Sequence, residues 1–282
     1  MVAGHTPVCR GGELSMFKEI AKHLRIWVRL VRINLMSQME YRANFVTGLL
    51  MEGGYLFAKI MYVIVAYSAG KSIAGYGPDE ILVFVGTFGT LTGFYAGIFM
   101  MNLFQLSGLV RDGSFDTLLT KPLSVQFLAT FRRSDIALFS LDALAGLVMI
   151  AIGCARGGIA LDPLRIAGWA FFAASGMGVA YALWLIPMTL VFRIVKADSI
   201  MGLADAFWDF NNVPMVVYKR FGQAVGTFLI PIFVITNFPA LFVLGRLPPL
   251  WALWGVVAPV AFGLIASACW NSSIRHYASG GN

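Results

Sequence analysis

Long apolar blocks separated by short polar breaks set the pattern of this chain. The clear blocks run from about Asn44 to Ser68, Ile81 to Leu106, Ser134 to Gly153, Ile166 to Phe192 and Leu250 to Trp270. Each reaches the roughly 20 residues a helix needs to cross about 30 Å of hydrocarbon at 1.5 Å per residue. The pattern therefore predicts an all-α polytopic membrane protein. Gly86, Gly89, Gly93 and Gly97 recur at three- and four-residue steps in the second block and predict close helix packing there. Pro187 predicts a kink in the fourth.

Two stretches depart from the pattern. Residues 16 to 37 read as an amphipathic helix. Phe17, Ile20, Leu24, Trp27, Val31 and Leu35 share one side, while Lys18, Lys22, Arg25, Arg29 and Arg32 share another. A basic face beside an apolar face suits a helix lying in the headgroup plane; a solvated helix would leave the apolar face bare. The second departure is 194 to 247. Asp198, Asp205, Asp209, Asn211 and Asn212 weaken 198–213 as a span, and Pro231 and Pro239 interrupt 221–245. Either segment completes six crossings with both termini on the cytoplasmic side. The division is then 1–43 as N-terminus and interfacial helix, 44–272 as transmembrane domain, and 273–282 as tail.

Composition agrees. Of 282 residues, 59% are hydrophobic and 12% charged, against about 25% charged in soluble domains. The net charge of +7 reads as the positive-inside bias of span ends, with no nucleic-acid partner implied. Cys9, Cys154 and Cys269 are far apart and suggest neither a disulfide framework nor a metal site. About forty residues precede the first span, too many for the n-region of a cleavable signal. His5, His23 and His276 lie outside the spans, which removes a buried Ser/His pair or a helical zinc motif. Gly70-Lys71-Ser72 resembles the end of a phosphate loop, but Val65 stands where the upstream glycine belongs. No catalytic residue is expected in this chain.

Two features carry candidate chemistry. The first is a polar island between the second and third blocks, about 109–124. Arg111-Asp112-Gly113 makes a turn, Ser114 can cap a helix, Asp116 complements its N-terminus and Pro122 stops it. Leu118 and Leu119 form an apolar pair suited to a groove on a soluble partner. The second is charge within spans. Such residues pair or face water, because a central charge costs roughly 2.5–3.5 kcal/mol. Glu52 and Lys59 are seven apart, as are Asp135 and Asp142; Asp198, Asp205 and Asp209 follow at seven and four, with Asn212 continuing loosely. They read either as a polar path or as interhelical pairs, for instance an Asp with Lys59.

A basic interfacial helix, two spans, a short cytoplasmic helix and four more spans resemble, in that order, the transmembrane subunit of a type-2 ABC transporter. The resemblance runs from Met16 to near the end. Val213 to Arg246, with Pro214, Pro231, Asn237-Phe-Pro239 and Gly245-Arg246, resembles the re-entrant hairpin that precedes the last span in that family. Gly113-Ser-Phe115-Asp116-Thr-Leu118-Leu119-Thr-Lys-Pro122 is similar to an element found after the second span in one subgroup, and Tyr41-Arg42-Ala-Asn-Phe45 also fits. The resemblance implies a permease of an exporter in the bacterial inner membrane. It implies a second permease chain, identical or paralogous, and two ATPase subunits that bind the ATP and Mg; this chain holds no cofactor. Arg111, Asp112, Ser114, Phe115, Asp116, Leu118, Leu119 and Pro122 become the coupling interface. Residues 198–213 become the fifth span and 217–246 the hairpin, whereas charge counting places 193–220 in the cytoplasm. The alternative is a self-sufficient channel or secondary carrier for a cationic or polar solute.

Overall fold

A computed structural model of the chain describes residues 11–40, 42–69, 72, 75–194, 202 and 206–277. Helix α1 covers Gly11–Glu40, α2 Arg42–Ala69 and α3 Pro78–Tyr95, which runs through a π-turn at Ala96–Met100 into α4, Met101–Arg111. Short helices α5 (Asp116–Leu119) and α6 (Val125–Phe131) follow, then α7 (Ile136–Arg156) and α8 (Pro163–Met188). After them come α9 (Arg220–Ala224), α10 (Ile232–Val243) and α11 (Pro249–Ile274). The starts obey local chemistry. Pro78, Pro163 and Pro249 each sit in a first turn, where the missing N–H is not needed. Asp162 accepts from the Arg165 N–H at 2.8 Å, and the Gly77 N–H donates to Glu80 Oε2 at 3.0 Å.

Among the described residues, five stretches are long and apolar enough to cross a membrane: Arg42–Ser68, Pro78–Arg111, Phe139–Arg156, Pro163–Phe192 and Pro249–Ile274. Arg220–Leu229 and Ile232–Val243 form a bent pair turning through 101°, and would make six if counted as one span. Of the predicted fifth span, 198–213, residues 198–201 and 203–205 lie outside the described residues, Asp198 and Asp205 among them. Helix direction still constrains the count. Gly255 lies against Phe172, Pro259 against Gly178 and Trp270 against Phe192, so α8 and α11 run parallel. Residues between them must therefore make one net return across the bundle. Arg193 and His276 meet at 3.5 Å at one end, the island's end, where His23 of α1 also packs edge-on against Phe127. The opposite end is latched by ion pairs, Arg156–Asp79 at 3.2 Å and Arg246–Glu80 at 2.5 Å.

The glycine stripe works as its spacing predicts, with one exception. A Cβ at Gly86 would lie 2.6 Å from the Gly146 carbonyl oxygen, and one at Gly93 would lie 2.9 Å from Ala143 N and Phe139 O. At Gly97 the Asp135 carbonyl oxygen is 2.8 Å away. Gly89 has room, its nearest neighbour being 3.6 Å away. Gly93→Ala should force the α3 and α7 backbones apart, costing about 1–3 kcal/mol as overpacking does. Gly89→Ala should leave thermal unfolding of the detergent-solubilised protein unchanged; equal melting temperatures for the two variants would contradict this packing. The kink predicted at Pro187 takes the form of a tightening: α8 ends at Met188 and continues as 3₁₀ helix through Thr189–Phe192. The π-turn frees the Gly97 carbonyl, which accepts the Asp135 N–H at 2.8 Å and ties α7 to α3.

Candidate functional site

The island is built by the end of α4. Gly113 stands at φ +70°, a conformation that favours glycine. The turn closes with the Asp112 N–H on Gly108 O at 2.8 Å and the Phe115 N–H on Leu109 O at 3.0 Å. Arg111 pairs with Asp112 at 3.2 Å, and both are exposed. Ser114 does not cap α5 with its side chain, as the sequence had led us to expect. Its carbonyl accepts from the Thr117 hydroxyl at 2.7 Å, because the helix begins one residue later and Phe115 takes the cap position. The serine that does cap is Ser124, whose hydroxyl accepts from the Phe127 N–H at 3.3 Å.

Leu118 and Leu119 do not act as a pair. Consecutive residues on a helix point about 100° apart. Leu118 is 4% exposed and belongs to the protein's own core, while Leu119 is 43% exposed. Thr117, Thr120, Lys121 and Pro122 share the outward surface with Leu119. Phe115 is fully buried, with its ring 5.1 Å from Phe192 after α8 and 5.0 Å from Tyr277 after α11. Burial, and after it the Asp116 carboxylate, pushes the Tyr277 phenol pKa up. The island is thus keyed into the ends of two long helices. Sequence reasoning missed Phe192 and Tyr277, since nothing in a linear pattern joins residues so far apart. It also missed Asn102, a buried residue of α4. Asn102 accepts from the Arg133 N–H at 3.0 Å and donates to the Arg133 carbonyl at 2.7 Å, fixing the return from the island to α7.

Within the bundle, Lys59 of α2 forms an ion pair with Asp142 of α7. Asp142 is 1% exposed, and Lys59 also lies 5.5 Å from the Phe88 ring centroid. Glu52 is half-buried and in electrostatic contact with Asp142, Lys59 and Asp135. Asp209 and Asn212 are both exposed, and the Asn212 amide donates to the Asp209 carboxylate at 3.3 Å. The structure therefore joins Glu52, Lys59 and Asp142, and leaves Asp209 and Asn212 apart from them.

The neighbouring Asn211, fully buried, is the residue that enters the core. It accepts from the Thr236 hydroxyl at 2.8 Å; the Asn237 amide donates to Thr236 at 3.4 Å, and Asn237 Oδ1 accepts the Met215 N–H at 2.8 Å. Trp208 stacks on Tyr95 of α3 with ring centroids 4.0 Å apart. Trp208, Asn211, Pro214 and Met215 therefore face into the bundle, while Asp209, Phe210 and Asn212 stay exposed. Pro214 precedes the 3₁₀ turn Met215–Val217, and Pro231 sits at the break before α10. Pro239 lies within α10 and removes the donor that Ile235 O would otherwise receive. Gly176 of α8 closes on that carbonyl, so that a Cβ there would lie 2.5 Å from it.

No group of His, Cys, Asp and Glu among the described residues could hold a metal ion. No curated protein and no solved structure matches the chain. The family model described as ABC-2 family transporter protein matches residues 54–281, from the first span through the last. The chain accordingly belongs to the ABC-2 transporter family and is a multi-pass membrane permease of a type-2 ABC transporter.

Proposed function

We propose that this permease works in an ATP-driven exporter, with a second permease chain completing the path and two ATPase subunits docking at the islands. The ATPases bind the ATP and Mg and do the hydrolysis. ATP binding favours one arrangement of the ATPases, and the islands carry that preference to the spans as a population shift. The observation that carries this reading is the seat of Phe115. A short helix exposing Leu119, flanked by exposed Arg111, Asp112 and Lys121, is wedged by one buried ring against the ends of α8 and α11. Force applied to α5 would reach both helices directly.

In this reading the island's side is cytoplasmic, and α1 lies in the headgroup plane. The exposure of Leu24, Val28 and Met39 beside the exposed cations Arg25, Arg29 and Arg32 supports that placement. Residues 198–213 cross outward as the fifth span. The break at Pro231 is then the tip of a hairpin that dips in from the outer face. That backbone is tolerated where it is buried in protein: Asn211, Thr236 and Asn237 hydrogen-bond in a chain, and Asn237 accepts the Met215 N–H.

The clean test of docking is Leu119→Asp, since Leu118→Asp would put a charge in the core. Leu119→Asp should leave the melting temperature unchanged and abolish co-purification of the ATPase with the permease. Retained association and retained transport would reject α5 as the docking element.

A further inference from the structure

Arg132 and Arg133 stand between α6 and α7, and both reach the same neutral acceptor. Gln105 Oε1 receives Arg132 Nη2 at 3.0 Å and Arg133 Nη1 at 2.7 Å. Among the described residues neither guanidinium forms an ion pair with a carboxylate. Two cations converging on one amide oxygen repel each other and leave most of their donors free. Arg132 is half-buried, and its Nε is shielded from solvent without a partner. Burial, and next the Arg133 charge, lowers its pKa. Both side chains line an open depression of about 470 Å³ that also reaches Ser107, Ser114 and the Arg111–Asp112 ion pair at its island edge. Asn102 holds the Arg133 backbone at both its N–H and its carbonyl, so the pair is pre-organised on a fixed loop.

Depth identifies the ligand. Helix α7 begins at Ile136, and its 21 residues give about 31 Å, the thickness of the hydrocarbon core. Arg132 and Arg133 therefore fall just outside that core, at the level of lipid phosphates. Gln105 is six residues before the end of α4 at Arg111, so the pair sits about 9 Å short of the island along the helix. A soluble partner seated on α5 meets Leu119 and Lys121 first, and neither lines the depression. Paired guanidiniums match the geometry of a phosphodiester, offering parallel N–H donors to two oxygens.

We infer that Arg132 and Arg133 form a binding site for the phosphate of an anionic phospholipid in the leaflet on the island's side. The lipid supplies the counter-charge that the Arg132–Arg133 pair does not receive from Asp112, which pairs with Arg111, and its chains stay in the bilayer.

The full-length chain in detergent, titrated with phosphatidylglycerol or phosphatidylcholine and read by native mass spectrometry, tests the site. Wild-type protein should hold phosphatidylglycerol in preference to phosphatidylcholine. Arg133→Gln should weaken phosphatidylglycerol about fivefold, and Arg132→Gln with Arg133→Gln about 30-fold, as loss of one or two interfacial cations implies. Arg275→Gln, at the same end but outside the depression, should change nothing. If the double variant fails to fold, the exposed Arg133→Gln carries the test alone. Equal phosphatidylglycerol binding by Arg133→Gln and wild type would overturn the site. Displacement by inorganic phosphate at matched concentration would assign it to a free anion instead. Loss of ATPase association by Arg133→Gln in a separate co-purification, with its phosphatidylglycerol binding intact in the titration, would make it a protein contact. No ATPase is present in the lipid titration, so its result stands apart from the exporter reading.

Discussion

Lys59→Met should remove most of the folded protein. The substitution keeps the length and apolar stem of the side chain and deletes only the charge. Asp142 is then left 1% exposed without the one ion-pair partner it has among the described residues. Its Oδ1 already lies buried without a hydrogen bond, so the ammonium on Oδ2 is what makes the carboxylate tolerable. Breaking a buried pair by removing one member costs about 3–5 kcal/mol, a large part of the roughly 5–15 kcal/mol that holds a typical protein folded. Combining Lys59→Met with Asp142→Leu should recover yield and melting temperature, because removing both charges together leaves none uncompensated. A single variant as stable as wild type would contradict the pairing. The double variant also separates the two readings of the in-span charges. Restored transport makes the pair structural; a stable but inactive double variant makes it part of the path.

What the sequence revealed and what it hid follow from the range of the interactions. Apolar blocks are local, and their length is set by the bilayer, so the helices begin and end within a few residues of expectation at Asn44, Ser134, Ile166 and Leu250. The glycine stripe was legible for the same reason: one helix face is a local pattern. The seven-residue spacings put Glu52 with Lys59 and Asp135 with Asp142 on common faces, but no spacing says which faces meet. Asn102 escaped notice because a lone polar residue in an apolar block declares nothing until its partner, Arg133, is placed; Asn211 read only as a polar interruption of the span until Thr236 stood opposite it. Ser114 misled for a subtler reason. A serine ahead of an acidic residue has the cap signature, yet the Gly113 turn hands the helix start to Phe115, whose ring has a core position to fill. The inward turn of Leu118 follows from that same anchoring.

Phe115→Ala should disconnect the island from the spans. The ring fills the space between Phe192 and Tyr277, and Phe192 in turn meets Trp270 of α11 at 5.4 Å. Removing a buried phenyl costs about 3–5 kcal/mol in a well-packed core. Here that loss falls on the joint between α5 and the ends of α8 and α11, and the glycine-packed contact of α3 with α7 is untouched. The outer surface of α5, with Leu119 and Lys121, keeps its chemistry. An ATPase that docks on that surface should therefore still co-purify and still hydrolyse ATP, while transport by the reconstituted complex falls to background. Phe115→Leu keeps an apolar side chain in the gap and should fall between the two, and Tyr277→Phe keeps both rings and should transport like wild type. Transport retained in Phe115→Ala would refute the wedge as the transmitting contact. Loss of ATPase association in Phe115→Ala but not in Phe115→Leu would instead show that the ring shapes the docking surface itself. The ordering of the three variants separates a contact that transmits force from one that merely holds a loop in place, because a loop-holding role would lower association and transport together.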